Sequence, residues 1–342
     1  MAKQKTGVGA QWLRDLQEKP LKPLYVLYGE EDFRRRTAVE LLYKRLIDPA
    51  LEDFNLTKLD GRGLDVRTII EAVDTPPMMA EMRLILIRDY DLFKNREAIE
   101  PVIADLPEGV CLVFVYEQLE CKPDTRTKFY KKLVEVGELA EFTRAEPTEL
   151  ATWIRYRFKQ AGKKIGNAEL TSLIERCGDG MTNLASEIDK LCAYCTDIVV
   201  TQEDIEHVTC RVAEAQVFAL CDAITDRKLR YALHLLDDLE AARSEAIPTL
   251  SLIGTQMRRL YAARLVIDAG RGSKALMELT GLKYSFLAEK LMNGAQRVKL
   301  SALRRCMTRC SEADLALKSS KGAPYACLRE LLVGLYEDMN QA

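Results

Sequence analysis

Histidine is nearly missing from this chain, with His207 and His234 the only two in 342 residues. No Ser-His-Asp or Cys-His constellation can be assembled around them, so hydrolysis by an activated nucleophile is not expected. No stretch approaches about 18 consecutive apolar residues, which excludes a membrane-spanning helix. The opening "MAKQKTGVGAQW" has no long apolar core, so no secretory signal is expected. An excess of positive charge is also lacking: 50 Lys and Arg face 52 Asp and Glu, a formal net charge of −2. A protein that grips DNA alone is usually basic, because neutralising phosphates supplies much of the affinity. Any contact with nucleic acid here needs a local patch or help from partner subunits. Neither a fixed-period repeat nor a low-complexity tract is visible. Cysteine, by contrast, is plentiful at ten residues. Without a signal these read as reduced thiols, and the expected compartment is the cytoplasm. What remains is an ordinary globular composition, 48% hydrophobic and 30% charged, long enough for two or three domains.

A second absence lies inside a motif. "LYVLYGEEDFRRRT", Leu24–Thr37, has an apolar run, a glycine and then a helical pattern, the place of a phosphate-binding loop. The pattern G-x-x-x-x-G-K-[ST], counted from Gly29, requires Gly, Lys and Ser or Thr at positions 34, 35 and 36. The chain has Arg34, Arg35 and Arg36, with Glu30, Glu31 and Asp32 where main-chain N–H groups should cradle phosphates. The phosphate cradle, its lysine and the Mg²⁺ hydroxyl are all missing. The acids would repel a triphosphate by ~1 kcal/mol or more per pair even in high dielectric, yet they suit a helix N-terminus. They either stand as a permanent internal anion or simply belong to a capped strand–helix turn. "VFVYEQ" ends in Tyr116 and Glu117, without the paired acids that hold Mg²⁺ in an ATPase.

The first ~140 residues alternate strand and helix signals. Strands are predicted at Leu24–Tyr28, Phe54–Lys58, Arg83–Ile87, Val110–Tyr116 and Leu139–Phe142. Their continuous apolar runs suit strands covered on both faces. Helices are predicted from an Asp32 cap to about Leu46, from an Asp65 cap to about Val73, at Arg96–Ala104 and at Thr125–Val134. This order implies a mostly parallel sheet with helices on both faces. From about Glu146 the strand signals stop. Thr148 is read as the cap of a helix to Gln160 and Asn167 as the cap of the next. Thr201 with Asp204 resembles a capping box. From about residue 212 amphipathic helices continue to the end, including a stripe through Leu229, Ala232, Leu233, Leu236 and Leu239.

Four smaller features bear on function. Asp74-Thr75-Pro76-Pro77 ends a helix, since proline cannot continue one. Met78 and Met79 follow on the connection into the next strand. Two large, flexible apolar side chains there either cover the domain's own core or reach into a partner. Arg258, Arg259 and Arg264 share one helix; Arg304, Arg305 and Arg309 share another. Both sets suit a solvated or subunit-facing surface, or a DNA-facing one. Cys192 and Cys195 form C-x-x-C, but Cys210 and Cys221 supply no second pair, so packed thiols without metal are expected. "GRGSK", Gly270–Lys274, follows a helix rather than a strand and reads as a loop.

The segments "PLYVLYGEEDF", "DTPPMMAEMRLILIRD", "CGDGMTNLASEIDKL", "QMRRLYAARLV" and "CSEADLALKSS", in this order along nearly the whole chain, resemble one family. It is the delta subunit of the bacterial DNA polymerase III clamp loader, of the AAA+ class. The resemblance implies an α/β plus all-α fold: an AAA+-like (RecA-like) domain at 1–143, a small helical lid at 144–211 and a helical collar at 212–342. It implies a first domain that binds no ATP, needs no cofactor and has no catalytic site, within a nucleotidyltransferase holoenzyme. Implied partners are the sliding clamp (beta subunit), the ATPase gamma/tau and delta-prime subunits, and primer-template DNA in the assembled complex. The apolar pair after Pro77 would insert into the clamp and open its ring, timed by ATP on other subunits. An arginine-finger motif is not evident; "TRAE", Thr143–Glu146, is a poor substitute. Two alternatives stand beside this reading: an active AAA+ ATPase, and a stand-alone DNA-binding protein.

Overall fold

The computed structural model describes residues 9–319 and 323–340. Residues 1–8 of "MAKQKTGVGAQW", and Ser320 of "CSEADLALKSS", lie outside them. The chain forms two compact units, residues 1–145 and 146–342.

In the first unit, helix α1 (Ala10–Glu18) precedes β1 (Leu24–Tyr28) and α2 (Asp32–Leu46). A 3₁₀ turn (Pro49–Leu51) leads to α3 (Glu52–Asn55), β2 (Leu56–Asp60) and α4 (Val66–Asp74). Then come β3 (Arg83–Arg88), α5 (Arg96–Ala104), β4 (Val110–Val115), α6 (Lys128–Val136) and β5 (Glu138–Glu141). The sheet order is β2-β3-β4-β1-β5, and every pairing is parallel. Alternate residues of each strand face opposite sides, so each strand feeds two cores. Leu24, Val26, Ile85, Ile87, Leu112 and Phe114 pack with Ile69, Val73, Ile99, Ile103 and Leu133 of α4, α5 and α6. Tyr25, Leu27, Leu84, Leu86, Val113 and Val115 pack with Leu16 of α1 and Ala38 and Leu42 of α2. Burial on both faces explains why β1 and β4 read as unbroken apolar runs.

Several boundaries differ from expectation. The strand expected at Phe54–Lys58 is β2, which begins at Leu56 where pairing with Leu84 begins; residues 52–55 are helical instead. Helix α6 starts at Lys128 rather than Thr125, because the Thr127 hydroxyl accepts the Tyr130 N–H. Asp32 is the first residue of α2, not its cap.

The second unit opens with α7 (Pro147–Gln160), β6 (Lys164–Ile165), α8 (Asn167–Cys177), α9 (Met181–Tyr194), β7 (Val199–Val200) and α10 (Gln202–Val208). Strands therefore do not stop at Glu146: β6 and β7 pair in parallel, too short to leave a period in the sequence. Pro147, not a residue after Thr148, begins α7, as suits proline at a first helical position. Gly166, not Asn167, is the residue before α8. The Thr201–Asp204 capping box is present in both directions. Seven helices follow among the described residues: α11 (Ala213–Thr225), α12 (Leu229–Ala241), α13 (Ala246–Asp268), α14 (Ser273–Thr280), α15 (Ser285–Gln296), α16 (Leu300–Ser319) and α17 (Pro324–Asn340). One continuous core, from Val217 to Met339, holds them together.

Because the sheet is parallel throughout, all strand C-termini lie at one end. The Gly29 turn leaves β1 at that end. The Met78–Met79 connection enters β3 at the opposite end.

Candidate functional site

The turn after β1 is a strand–glycine–helix junction closed on itself. Gly29 has φ +115°, and a Cβ there would lie 2.4 Å from the Phe142 carbonyl oxygen, so only glycine fits. The Phe142 N–H donates to the Tyr28 carbonyl at 2.7 Å, and the Glu31 N–H donates to the Phe142 carbonyl at 2.9 Å. One of the donors a phosphate cradle would need is thus already used. Arg35 is buried, and its guanidinium donates to the Gly29 carbonyl at 2.6 Å and to Asp32 Oδ1 at 2.8 Å. Arg36 Nε pairs with the other Asp32 oxygen at 2.8 Å. Glu31 and Arg34 are buried as well. Glu30 is exposed and lies 3.9 Å from Arg144 Nε. Asp32 therefore neutralises arginines of its own helix, and the charge of this turn is largely consumed internally.

The neighbouring strand end repeats the pattern with a residue that the sequence reading missed. Asp89, at φ 53° just past β3, accepts the main-chain N–H groups of Glu117, Gln118 and Leu119 at 2.8, 2.9 and 3.0 Å. Three successive donors form a nest suited to an anion, and a carboxylate of the protein fills it. Burial works against the charged form of Asp89. The three donors, with Arg62 nearby, outweigh it and hold the pKa below the ordinary value. Tyr116 is buried, with its hydroxyl accepting the Leu92 N–H at 3.1 Å, and Glu117 lies 3.7 Å from Arg88.

At the opposite end of the sheet the connection from α4 enters β3. Helix α4 is capped by Asp65, as expected, and ends at Asp74 before the two prolines. Pro77 is half-buried, whereas Met78 is 50% and Met79 83% exposed. The methionines do not cover the domain's core. Phe54 is also half-exposed, at 49%; its carbonyl accepts from Arg83 at 2.6 Å, and the next residue, Asn55, bonds to Met78 in both directions. In the sequence, Phe54 reads as the first residue of a strand. The signal that could have found it is "LEDFN", two acids where a helical first turn favours them.

The six arginines of the second unit separate into different environments. Arg305 and Arg309 both bond to buried Asp338, at 2.9 and 2.5 Å. Burial would raise the Asp338 pKa, but hydrogen bonds from Arg309 and Arg305 outweigh it and keep it low. Arg264 pairs with Asp268 at 2.8 Å, and the Arg259 guanidinium lies 5.5 Å from the centre of the Phe218 ring. Arg258 and Arg304 bond only to the hydroxyls of Thr255 and Tyr261. No carboxylate pairs with them among the described residues. Both line one groove of about 680 Å³ between α13 and α16, with Ser251, Thr308 and Ser311 on its walls.

Cys195 is buried and Cys192 partly so, and burial raises both thiol pKa values. Among the described residues no group of three or more His, Cys, Asp or Glu side chains is placed to hold a metal, and no helix is long and apolar enough to cross a membrane.

Comparison with known proteins bears on both units. A family model for the DNA polymerase III delta subunit matches residues 25–139, and one for the C-terminal domain of that subunit matches residues 214–335. The DNA polymerase III subunit delta of Bacillus subtilis (strain 168) is 26% identical over 322 residues, covering 90% of this chain and 91% of that protein. The probable DNA polymerase III subunit delta of Aquifex aeolicus (strain VF5) is 21% identical over 283 residues, 79% of each. Among solved structures, the Bacillus subtilis DNA clamp loader delta protein shares the fold. Its TM-score is 0.59 at 24% identity, covering 95% of this chain and 98% of that one.

Proposed function

The chain belongs to the DNA polymerase III delta-subunit family, and from that premise we propose that it is the subunit that binds the ring-shaped sliding clamp and opens it for loading on primed DNA. The observation that carries this reading is the exposed Met78–Met79 pair at the strand end opposite the closed Gly29 turn. Pro77, Met78 and Met79 are the contact, with Phe54 at its margin. Burying one such side chain is worth ~1.5–3 kcal/mol, so two can anchor a complex. Opening then needs no reaction. The tip binds the opened form of a clamp interface better than the closed form, and differential affinity displaces the ring.

The chain is not itself an ATPase in this reading. Arg35 on the Gly29 carbonyl, Glu31 bonded to Phe142 and the missing lysine all argue against a triphosphate site. ATP on the gamma/tau subunits times the exposure of the tip, and delta-prime completes the assembly. Residues 144–211 act as the lid and 212–342 as the collar that holds the subunits. Arg258 and Arg304, which have no acid partner among the described residues, are the arginines of the six that are available to DNA phosphates in the assembled complex. The net charge of −2 argues against stand-alone DNA binding.

The test is binding of the purified chain, without nucleotide, to the sliding clamp of the same organism. Tight binding that disappears in Met78→Ala/Met79→Ala supports the reading. Tight binding kept by the double variant moves the site elsewhere. No clamp binding, together with measurable ATP affinity, overturns it.

A further inference from the structure

An exposed apolar loop ordinarily pays for its ordering when it binds. The connection over residues 75–82 is held in place from two sides. On one side stands Asn55, the last residue of α3 and only 1% exposed. Its Nδ2 donates to the Met78 carbonyl at 2.9 Å, and its Oδ1 accepts the Met78 N–H at 2.8 Å. One buried amide thus satisfies both main-chain groups of Met78, as a neighbouring strand would. On the other side is Gly109, at φ +82°. A Cβ there would lie 3.1 Å from the Glu81 carbonyl oxygen and 3.2 Å from Pro77 Cγ. The Gly109 carbonyl accepts the Arg83 N–H at 2.7 Å. Between these supports Met79 adopts φ 53°. A bulky non-glycine residue in the left-handed region is strained, and such strain persists where the surroundings over-determine the backbone.

We propose that Asn55 is a positioning residue for the apolar tip: it presets the main chain at Met78, so that Met79 projects in its binding conformation before the clamp arrives. This rests on the reading that the tip meets the clamp. Asn55 itself need not touch the partner. Its contribution is the ordering cost that binding no longer carries.

The experiment uses the full chain in two measurements: affinity for the sliding clamp, and amide hydrogen exchange across residues 76–82. Asn55→Ala is expected to weaken clamp binding by roughly ten- to a hundredfold, as the loss of two buried hydrogen bonds implies. The Met78 amide should exchange faster while β4 amides do not. Ile103→Val, a core change in the same unit, serves as the stability control and should leave both readouts unchanged. In a Met79→Ala background, Asn55→Ala should cost less than about threefold, because the side chain it positions is gone. Wild-type affinity in Asn55→Ala, with Met78→Ala/Met79→Ala still defective, overturns the positioning role and leaves the proposed function standing. If the wild-type chain does not bind the clamp, the proposed function falls. Exchange then decides the rest: equal Met78 protection in wild type and Asn55→Ala overturns the preset backbone as well.

Discussion

Two turns at opposite ends of one sheet make opposite use of their side chains. The turn after β1 is crowded with charge, yet Asp32 pairs with both Arg35 and Arg36, and Arg35 also bonds the Gly29 carbonyl. The turn before β3 presents methionines and has no partner for them within the described residues. In parallel α/β sheets, ligands usually bind beyond the strand C-termini. At that end the Gly29 turn is closed by Phe142 and Arg35 and the nest after β4 is filled by Asp89, while Arg36, Glu40, Arg88 and Glu117 line an open groove of about 380 Å³ beside them. The N-terminal end carries the exposed Met78–Met79 pair. The two ends thus differ in kind: at Gly29 donors of a strand–glycine–helix turn are bonded within the protein, while Met78 and Met79 are exposed.

The largest effect should come from breaking the open end. Met78→Ala/Met79→Ala is expected to weaken clamp binding more than a hundredfold, from the apolar area of two side chains. Its melting temperature should stay near wild type, since both residues are exposed. A double variant that unfolds early would mean that the tip is structural, and the contrast between the two ends would collapse. The closed end should respond in the reverse sense. Gly29→Ala forces a Cβ to 2.4 Å from a carbonyl oxygen at a positive φ and should cost about 3 kcal/mol or more in urea unfolding. Clamp affinity of the fraction that remains folded should be unchanged. A smaller effect sharpens the boundary of the open end: Phe54→Ala, which removes a half-exposed ring, should weaken clamp binding about five- to tenfold. No change there would confine the contact to the methionines.

Much of this contrast was readable in the sequence because it is local. Gly29 after an apolar run, the missing lysine at position 35, and Pro76-Pro77 ending a helix are neighbours along the chain, and the structure puts them where spacing predicts. What escaped depends on distant residues. Asn55 bonds to Met78, 23 positions away, and "FNLTK" reads as a strand because Phe, Leu and Thr favour one. Asp89 fills a nest made by residues 117–119, which no local pattern announces. The arginines of α13 and α16 looked equivalent until Asp338 of α17 and Phe218 of α11 set Arg305, Arg309 and Arg259 apart from Arg258 and Arg304.

The smallest expected effect separates the two ends by pH. Asp89 has a folded pKa held below its ordinary value by three main-chain donors that outweigh its burial. A carboxylate with a lowered folded pKa contributes stability above its unfolded pKa, about 3.9, and loses that contribution as pH falls through the folded value. Asp89→Asn keeps an acceptor oxygen in the nest but removes the charge. It should be slightly less stable than wild type at neutral pH, by a fraction of the Gly29→Ala cost, and its stability should fall less steeply below about pH 4. Unfolding in urea from pH 7 down to pH 3 reads this directly. In the proposed clamp contact the two anchoring side chains, Met78 and Met79, carry no titrating group. The Asn55→Ala defect should therefore be the same at pH 6 and pH 8, and the Asp89→Asn variant should bind as wild type does. Equal acid slopes for wild type and Asp89→Asn would show that the carboxylate in the nest is not held charged by its donors. The nest at residues 117–119 would then be held by its hydrogen bonds to Asp89 without a contribution from charge.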